Sequence, residues 1–216
     1  MDITYLGHSS FRLKSKTASL ITDPFDPKMV GLPFPKVSAD IVTISHNHGD
    51  HNKADLVKDV KRVVNGPGEY EINEVSILGF SSFHDDKKGK LRGRNTSYVF
   101  EMEGLRIAHL GDLGHKLSEK MIEEIGDIDI LMIPVGGEYT IDASVAAEIV
   151  RAIEPTLTIP MHFKTPKHNP QTFSKLATEE PFLKELGLPV EKLNKLTVSV
   201  GSIGEDQKII LLEAKQ

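Results

Sequence analysis

Residues 41–51 read IVTISHNHGDH and place four potential metal ligands within six positions. The apolar run 41–44 predicts a buried strand, and the ligands that follow it are His46, His48, Asp50 and His51. Imidazole and carboxylate groups together suit a borderline divalent ion such as zinc. His46 and His48 can face one point of an extended loop while Asp50 and His51 face another. A solvated polar loop would explain one histidine, but this density predicts a metal site, built for two ions.

The composition describes an ordinary globular chain. Its 216 residues suffice for one sizeable core, and we expect a single domain over residues 1–216. A net charge of -5 argues against a nucleic-acid binder, and the absence of cysteine excludes disulfides and thiolate ligands. The N-terminal MDITYLGHSSF does not resemble a signal peptide, and no apolar run approaches the roughly 18 residues that span a membrane. We therefore expect a cytoplasmic protein with no membrane partner.

Short apolar runs and helical patterns alternate along the chain. Strands are predicted at 3–6, 11–14, 19–22, 63–65, 75–80, 98–101, 105–110, 130–135, 156–159, 196–200 and 208–212. Helices are predicted at 53–60, at 118–125 with Ser118 as N-cap, at 144–153 and within 173–186. A proline-rich loop is predicted at 25–35. Strand–helix–strand alternation favours parallel pairing with helices outside, so we expect an α/β fold with mixed sheets.

Three further potential ligands stand where a predicted strand has just ended. They are His84, Asp112 in the turn LGDLG, and His162 in IPMHF. Taken singly, each histidine could be an ordinary loop residue, and Asp112 could cap a turn. Because ligands at the carboxyl ends of several strands can meet at one sheet edge, we expect them to join the motif.

These residues, in this order, resemble the metallo-β-lactamase superfamily of hydrolases. The resemblance rests on the clustered histidine motif, on the three later ligands, and on Asp23 in the strand-end ITDP. It covers the chain from Tyr5 to His162. The segments YLGHSSF, ITDP, PVGGEYTID and IPMHFKT resemble more closely the branch related to L-ascorbate-6-phosphate lactonase.

The resemblance implies an αββα four-layer sandwich, in which two mixed β-sheets are flanked by helices and the metals lie at one edge. One ion would be held by His46, His48 and His84. The other would be held by Asp50, His51 and His162. Asp112 would bridge the ions, and Asp23 would orient a ligand imidazole from behind.

Two adjacent divalent ions can lower the pKa of a shared water, so a metal-activated hydroxide is the expected nucleophile. Asp50 and Asp112 are the catalytic candidates, and whether Asp50 also handles a proton stays open. Nitrogen and oxygen donors favour one or two Zn²⁺ ions but accept Mn²⁺ or Fe as well.

Five residues are candidates for a substrate-binding rim: His8, His115, Lys88, Arg92 and Arg94. The histidines could equally be ordinary structural residues, and the basic loop 87–94 could be a solvated hairpin. If this loop lies beside the metals, it predicts a substrate that carries phosphate or carboxylate.

The function favoured by these features is a metal-dependent hydrolase of a small ester, lactone or phosphate-bearing metabolite. A phosphodiesterase or nuclease of the same superfamily is the first alternative, and a non-catalytic metal-binding protein is the second. The acidic net charge and the short 112–162 segment argue against polynucleotide substrates. An intact ligand set argues against a non-catalytic protein. The oligomeric state stays open.

Overall fold

Two β-sheets form the body of the protein in a computed structural model that describes residues 1–215. Of the domain predicted over residues 1–216, Gln216 lies outside the described residues. The first sheet contains, in spatial order, β13 (Leu196–Thr197), β1 (Asp2–Gly7), β2 (Ser10–Lys14), β3 (Ser19–Thr22), β4 (Ile41–Thr43) and β5 (Arg62–Val64). The pairs from β13 to β3 are antiparallel, and those from β3 to β5 are parallel.

The second sheet is also mixed. It contains, in spatial order, β12 (Val190–Leu193), β14 (Lys208–Leu212), β11 (Leu157–Met161), β10 (Ile130–Pro134), β9 (Leu105–His109), β8 (Arg94–Met102), β7 (Val75–Phe83) and β6 (Gly68–Ile72). The pairs from β12 to β9 are parallel, and those from β9 to β6 are antiparallel. The parallel strands of both sheets end at the same edge of the protein. The predicted ligands lie at this edge, in the segments that follow the strands.

The main hydrophobic core lies between the two sheets. Phe11 and Leu20 from the first sheet pack with Phe100, Ile107 and Met132 from the second, and all five are fully buried. Successive strand residues point to opposite faces, so every second position of these strands contributes to this layer. Burial on this scale, at about 25 cal/mol per Å² of apolar surface, is the main stabilising term of such a fold.

Helices cover the other face of the second sheet. They are α2 (Glu119–Ile125), α3 (Ala143–Ile153) and α5 (Glu180–Leu186), which share a second apolar core with that sheet. Ser118 Oγ accepts a hydrogen bond from the Met121 amide at 3.3 Å, which confirms the predicted N-cap. The predicted sandwich of two mixed sheets flanked by helices is confirmed.

Among residues 1–215, no helix combines the length and apolar character needed to cross a membrane.

The helix predicted at 53–60 is wrong. Only a 3₁₀ turn forms there, at Ala54–Leu56, because the following backbone pairs with residues 37–39 instead. The Lys58 amide donates to Val37 O at 3.0 Å, and Lys58 O accepts from the Ala39 amide at 3.1 Å. This bridge outweighs the helical spacing of the apolar residues, and the segment covers the first sheet with Val57.

Several other boundaries differ from the predictions. Strands β7 and β8 are longer than predicted, and they pair as far as Phe83 and Arg94. The polar residues at their ends lack the apolar pattern that predicts a strand. Strands β6 and β12 were not predicted, and β13 ends at Thr197 rather than at residue 200. The region 173–186 breaks into the end of α4 (Pro170–Phe173) and α5, since the Ala177 amide donates to Gly136 O at 2.9 Å between them.

A short helix within the predicted loop 25–35 packs tightly against the segment that follows β11. This helix, α1 (Pro27–Val30), ends at Gly31 with φ 87°, and Val30 O accepts a hydrogen bond from the Asn169 amide at 2.8 Å. A Cβ atom at Gly31 would lie 2.4 Å from the Asn169 amide nitrogen. Phe25 and Phe173 share an apolar cluster beneath this contact. The two segments therefore form a fixed wall beside the ligand-bearing edge.

Replacing Gly31 with Ala should lower the free energy of unfolding by about 3 kcal/mol, since a left-handed backbone cost and a backbone clash add together. Gly187 is a matched control, because it ends α5 with φ 71° and has no atom within 4 Å of an added Cβ. Gly187→Ala should cost only about 1 kcal/mol. Urea denaturation measures both, and equal losses would show that the wall is not tightly docked.

Candidate metal centre

Seven potential ligands meet at the edge where the strands end. The loop after β4 carries His46, His48, Asp50 and His51, while β7, β9 and β11 are followed by His84, Asp112 and His162. All except His48 are buried. The structure thus brings together the complete set selected from the sequence. Their roles as ligands stay a prediction.

The carboxylate of Asp112 lies at the centre of this group. Its Oδ2 is 3.2 Å from His51 Nε2, 3.3 Å from both His84 Nε2 and His162 Nε2, and 3.9 Å from His46 Nε2. Two ligands at tetrahedral angles around a zinc ion, with bonds of about 2.1 Å, are about 3.4 Å apart. The distances from Asp112 Oδ2 to the nearer nitrogens are therefore close to the spacing of two ligands of one metal ion.

Two further groups of side chains near Asp112 are close enough to hold a metal ion. In one, atoms of His46, His48 and His84 all lie within 4.8 Å of one another. In the other, the same holds for His8, Asp50, His51 and His162. The arrangement can accommodate two ions.

Several buried polar atoms in this cluster have no hydrogen-bond partner among residues 1–215. They are His46 Nε2, His51 Nε2, both ring nitrogens of His162, His84 Nδ1, Asp50 Oδ1 and Asp112 Oδ1. Although two of these nitrogens lie close to Asp112 Oδ2, their geometry is not that of a hydrogen bond. Unpartnered buried polar groups are rare in proteins and costly. Their concentration at one point, on donor types that zinc prefers, shows that these residues fit a divalent metal.

Asp23 orients two of the imidazoles from behind. It follows β3 with φ 40°, and its Oδ2 accepts a hydrogen bond from His51 Nδ1 at 2.8 Å. The same carboxylate accepts from the Ser45 amide at 2.7 Å and from Ser45 Oγ at 2.6 Å. Because Ser45 Oγ donates to Asp23, it accepts from His46 Nδ1 at 3.0 Å. When these two rings are neutral, as a metal ligand must be, the hydrogen bonds keep the proton on Nδ1 and leave Nε2 for a metal.

The electrostatics of the cluster favour a cation. Burial disfavours charge on Asp112, but the imidazoles of His162 and His51 outweigh burial and hold the pKa of its carboxyl well below its usual range. Burial would likewise lower the pKa of His51, yet Asp112, Asp50 and Asp23 raise it well above its ordinary value. The carboxylates therefore stay ionised in the interior, where a bound divalent ion would compensate their charge.

The predicted rim position of His8 is corrected by the structure. His8 does lie at this edge, but it is fully buried behind Asp50 and packs against Phe25 and Phe173. Its carbonyl oxygen accepts hydrogen bonds from the His162 amide at 2.9 Å and from Tyr5 Oη at 2.8 Å. These bonds join the two sheets at the site, so the side chain has no access to the rim.

Two cavities flank the loop that follows His84. The first, of about 370 Å³, is called the His48 cavity, and its lining includes His46, His48, Asn65, Arg92 and Arg94. The second, of about 390 Å³, is called the Tyr139 cavity, and its lining includes His84, Arg92, His115, Lys116 and Tyr139. Both are of the size that small-molecule ligands occupy.

The predicted rim residues differ in how they meet these cavities. Arg92 borders both, with its guanidinium 5.5 Å from the Tyr139 ring centre. Arg94 is exposed at the His48 cavity. His115 is half-buried, and its Nε2 accepts from the Phe83 amide at 3.1 Å, so the ring also supports the loop. Lys88 lies on the exposed outer turn with φ 59° and lines neither cavity.

Asp85, which the sequence analysis did not single out, shapes this loop. Its carboxylate accepts four backbone hydrogen bonds of 2.7 to 2.9 Å, from the amides of residues 87, 89, 91 and 92. Burial would raise the pKa of Asp85, but these donors outweigh it and lower the value to about 2. The loop is therefore folded around a charged centre, which fixes the position of the Arg92 backbone.

Comparisons with known proteins agree with this geometry. A family model for the beta-lactamase superfamily domain matches residues 2–162. A UPF0173 metal-dependent hydrolase from Thermococcus onnurineus is 30% identical over 83% of this chain and 93% of that protein. Another, from Pyrococcus furiosus, is 29% identical over the same shares.

A crystal structure from Thermotoga maritima is also similar. It describes a candidate zinc-dependent hydrolase of the metallo-β-lactamase superfamily, with 38% identity and a TM-score of 0.81. The match covers 98% of this chain and 97% of the other. The matched family segment contains all seven potential ligands. This chain therefore belongs to the metallo-β-lactamase superfamily, within the UPF0173 family of metal-dependent hydrolases.

Proposed function

We propose that this metal-dependent hydrolase binds two divalent ions and cleaves a small anionic ester, lactone or phosphate-bearing metabolite. The observation that carries the proposal is the position of Asp112 among four imidazole nitrogens, three of which have no hydrogen-bond partner among the described residues. Zn²⁺ suits this set of nitrogen and oxygen donors, and Mn²⁺ or Fe would fit the same atoms. When bound, such ions lower the pKa of a coordinated water and polarise the substrate oxygen.

The protein residues have separate tasks in this proposal. His46, His48 and His84 hold one ion, Asp50, His51 and His162 hold the other, and Asp112 is shared between them. Asp23 fixes the imidazole of His51 through the 2.8 Å hydrogen bond and reaches His46 through Ser45. Because His46 and His51 are held by buried hydrogen bonds, this part of the site is preorganised before substrate arrives.

The charge around the His48 cavity supports an anionic substrate. Among the described residues that line it, Arg92 and Arg94 are basic and none is acidic. The Tyr139 cavity combines Arg92 and Lys116 with Asp86, Glu138 and Asp142, so its charges oppose one another. A phosphate or carboxylate would therefore bind in the His48 cavity, beside the exposed imidazole of His48.

The activity test is a substrate panel measured with and without a chelator. It contains a phosphorylated lactone, since four segments resemble the lactonase-related branch, together with simple aryl esters and a generic phosphodiester. Turnover of lactone or ester that is lost with chelator and restored by Zn²⁺ or Mn²⁺ supports the proposal. Turnover of the phosphodiester alone would favour the phosphodiesterase alternative.

Replacing Asp112 with Ala should disturb both metal ions, because one carboxylate serves each of them. His84→Ala removes a ligand from one group and should weaken one ion while the other stays bound. Elemental analysis of the reconstituted proteins, with circular dichroism as a check of folding, measures the difference. A wild-type metal content in Asp112→Ala would contradict the bridging role.

Replacing Arg94 with Gln should raise KM about tenfold for mono-4-nitrophenyl succinate, because a charged hydrogen bond to the substrate carboxylate is lost. KM for the neutral 4-nitrophenyl butyrate, which has the same leaving group, should stay nearly unchanged. Lys90→Gln is the matched control, since Lys90 is exposed on the same loop but lines neither cavity. The difference should shrink as salt rises. Equal losses on both esters would mean that Arg94 has a structural role.

A further inference from the structure

A fully buried imidazole lies behind Asp50 and makes one hydrogen bond to it. His8 Nε2 is 3.3 Å from Asp50 Oδ2, and its other nitrogen, Nδ1, is 3.4 Å from His168 Nε2. Phe173 and His162 pack against the ring, with centroids 5.0 and 4.2 Å away. Three side chains on separate segments of the chain are therefore connected in the order His168, His8, Asp50.

A backbone amide fixes the direction of the hydrogen bonds in this row. The Thr165 amide donates to His168 Nδ1 at 3.0 Å, and an amide nitrogen can only donate. Nδ1 of His168 therefore has no proton, so the ring carries its proton on Nε2. That proton points toward His8 Nδ1, which must accept it. His8 then carries its own proton on Nε2 and donates it to Asp50 Oδ2.

We propose that His168 and His8 are positioning residues that hold the Asp50 carboxylate in one orientation for the second metal ion. The hydrogen bond from His8 fixes Oδ2, while Oδ1 is buried and has no hydrogen-bond partner among the described residues. Without the bond from His168, His8 could adopt the other tautomer and present a lone pair to the carboxylate, which would then rotate. The inference rests on the proposed metal centre.

The same hydrogen bonds argue that His8 is not itself a ligand, although it lies near the second group. A metal needs the lone pair of a ring nitrogen. In His8 the Nε2 atom carries the proton, and Nδ1 faces His168. The function of His8 is thus exerted through Asp50, as partners behind a metal ligand commonly act.

Four variants separate this role from a purely structural one. His8→Gln keeps a donor near the place of Nε2, whereas His8→Asn is too short to reach Asp50. His168→Asn keeps an acceptor for the Thr165 amide but loses the donor to His8, and His168→Gln restores that donor. Each variant is stripped of metal, and Zn²⁺ binding is measured by competition with a chromophoric chelator. The stoichiometry is measured by elemental analysis.

The expected result is that His8→Asn and His168→Asn still bind two Zn²⁺ ions but weaken one of them about tenfold or more. The two Gln variants should recover most of this loss. Because His168 acts through His8, the double Asn variant should bind Zn²⁺ about as weakly as His8→Asn alone.

Two results would overturn the inference. Unchanged Zn²⁺ affinity in both Asn variants would show that the row does not position Asp50. Complete loss of one ion in both His8 variants, with normal binding in both His168 variants, would show that His8 is a direct ligand. Failure of the wild-type protein to bind Zn²⁺ or Mn²⁺ would instead refute the proposed metal centre, so the two failures are distinguishable.

Discussion

The burial of three carboxylates at one edge of the sandwich is the constraint on which the rest of the site depends. Asp23, Asp50 and Asp112 are each at least 93% buried, and isolated charges in such a position are strongly destabilising. The surrounding imidazoles and the Ser45 hydrogen bonds compensate part of this cost. The unpartnered oxygens of Asp50 and Asp112 show where the compensation is incomplete. A bound cation would complete it, so the carboxylates that are costly to bury are also the groups that suit a metal ion.

The backbone at this edge is strained for the same reason. Asp23, His8 and His162 have φ values of 40°, 56° and 50°, a region that is unfavourable for residues other than glycine. Each follows a strand directly and must turn its side chain back toward the metal edge. The hydrogen bond from the His162 amide to His8 O ties two of these turns together across the sheets. The wall formed by α1 and residues 167–173 covers this edge of the sandwich from one side.

Most of the fold, and the meeting of the seven potential ligands at one edge, could be predicted from the sequence, because strand periodicity and residue chemistry are local signals. The ends of β3 and β14 were predicted to the residue, and the motif 46–51 was identified from its composition. His168 could not be found in this way. It lies in KTPKHNP, with no neighbouring ligand, and its contact with His8 joins residues 160 positions apart. The helix predicted at 53–60 is wrong because its backbone pairs with residues 37–39, which lie outside the segment that shows the helical spacing.

The basic loop shows a further limit of composition as a guide to function. Its five cations are equivalent in the sequence, but the Asp85 carboxylate folds the loop so that only some of them face the site. Arg92 and Arg94 line cavities beside the ligands, while Lys88 faces outward. In the proposed function, substrate charge is therefore recognised by the two arginines that line the cavities rather than by the summed charge of the loop. Guanidinium groups can bind a phosphate or carboxylate through two parallel hydrogen bonds, which flexible lysines do not provide. The fold of this short loop, rather than its composition, therefore decides which of its basic side chains border the cavities beside the candidate metal centre.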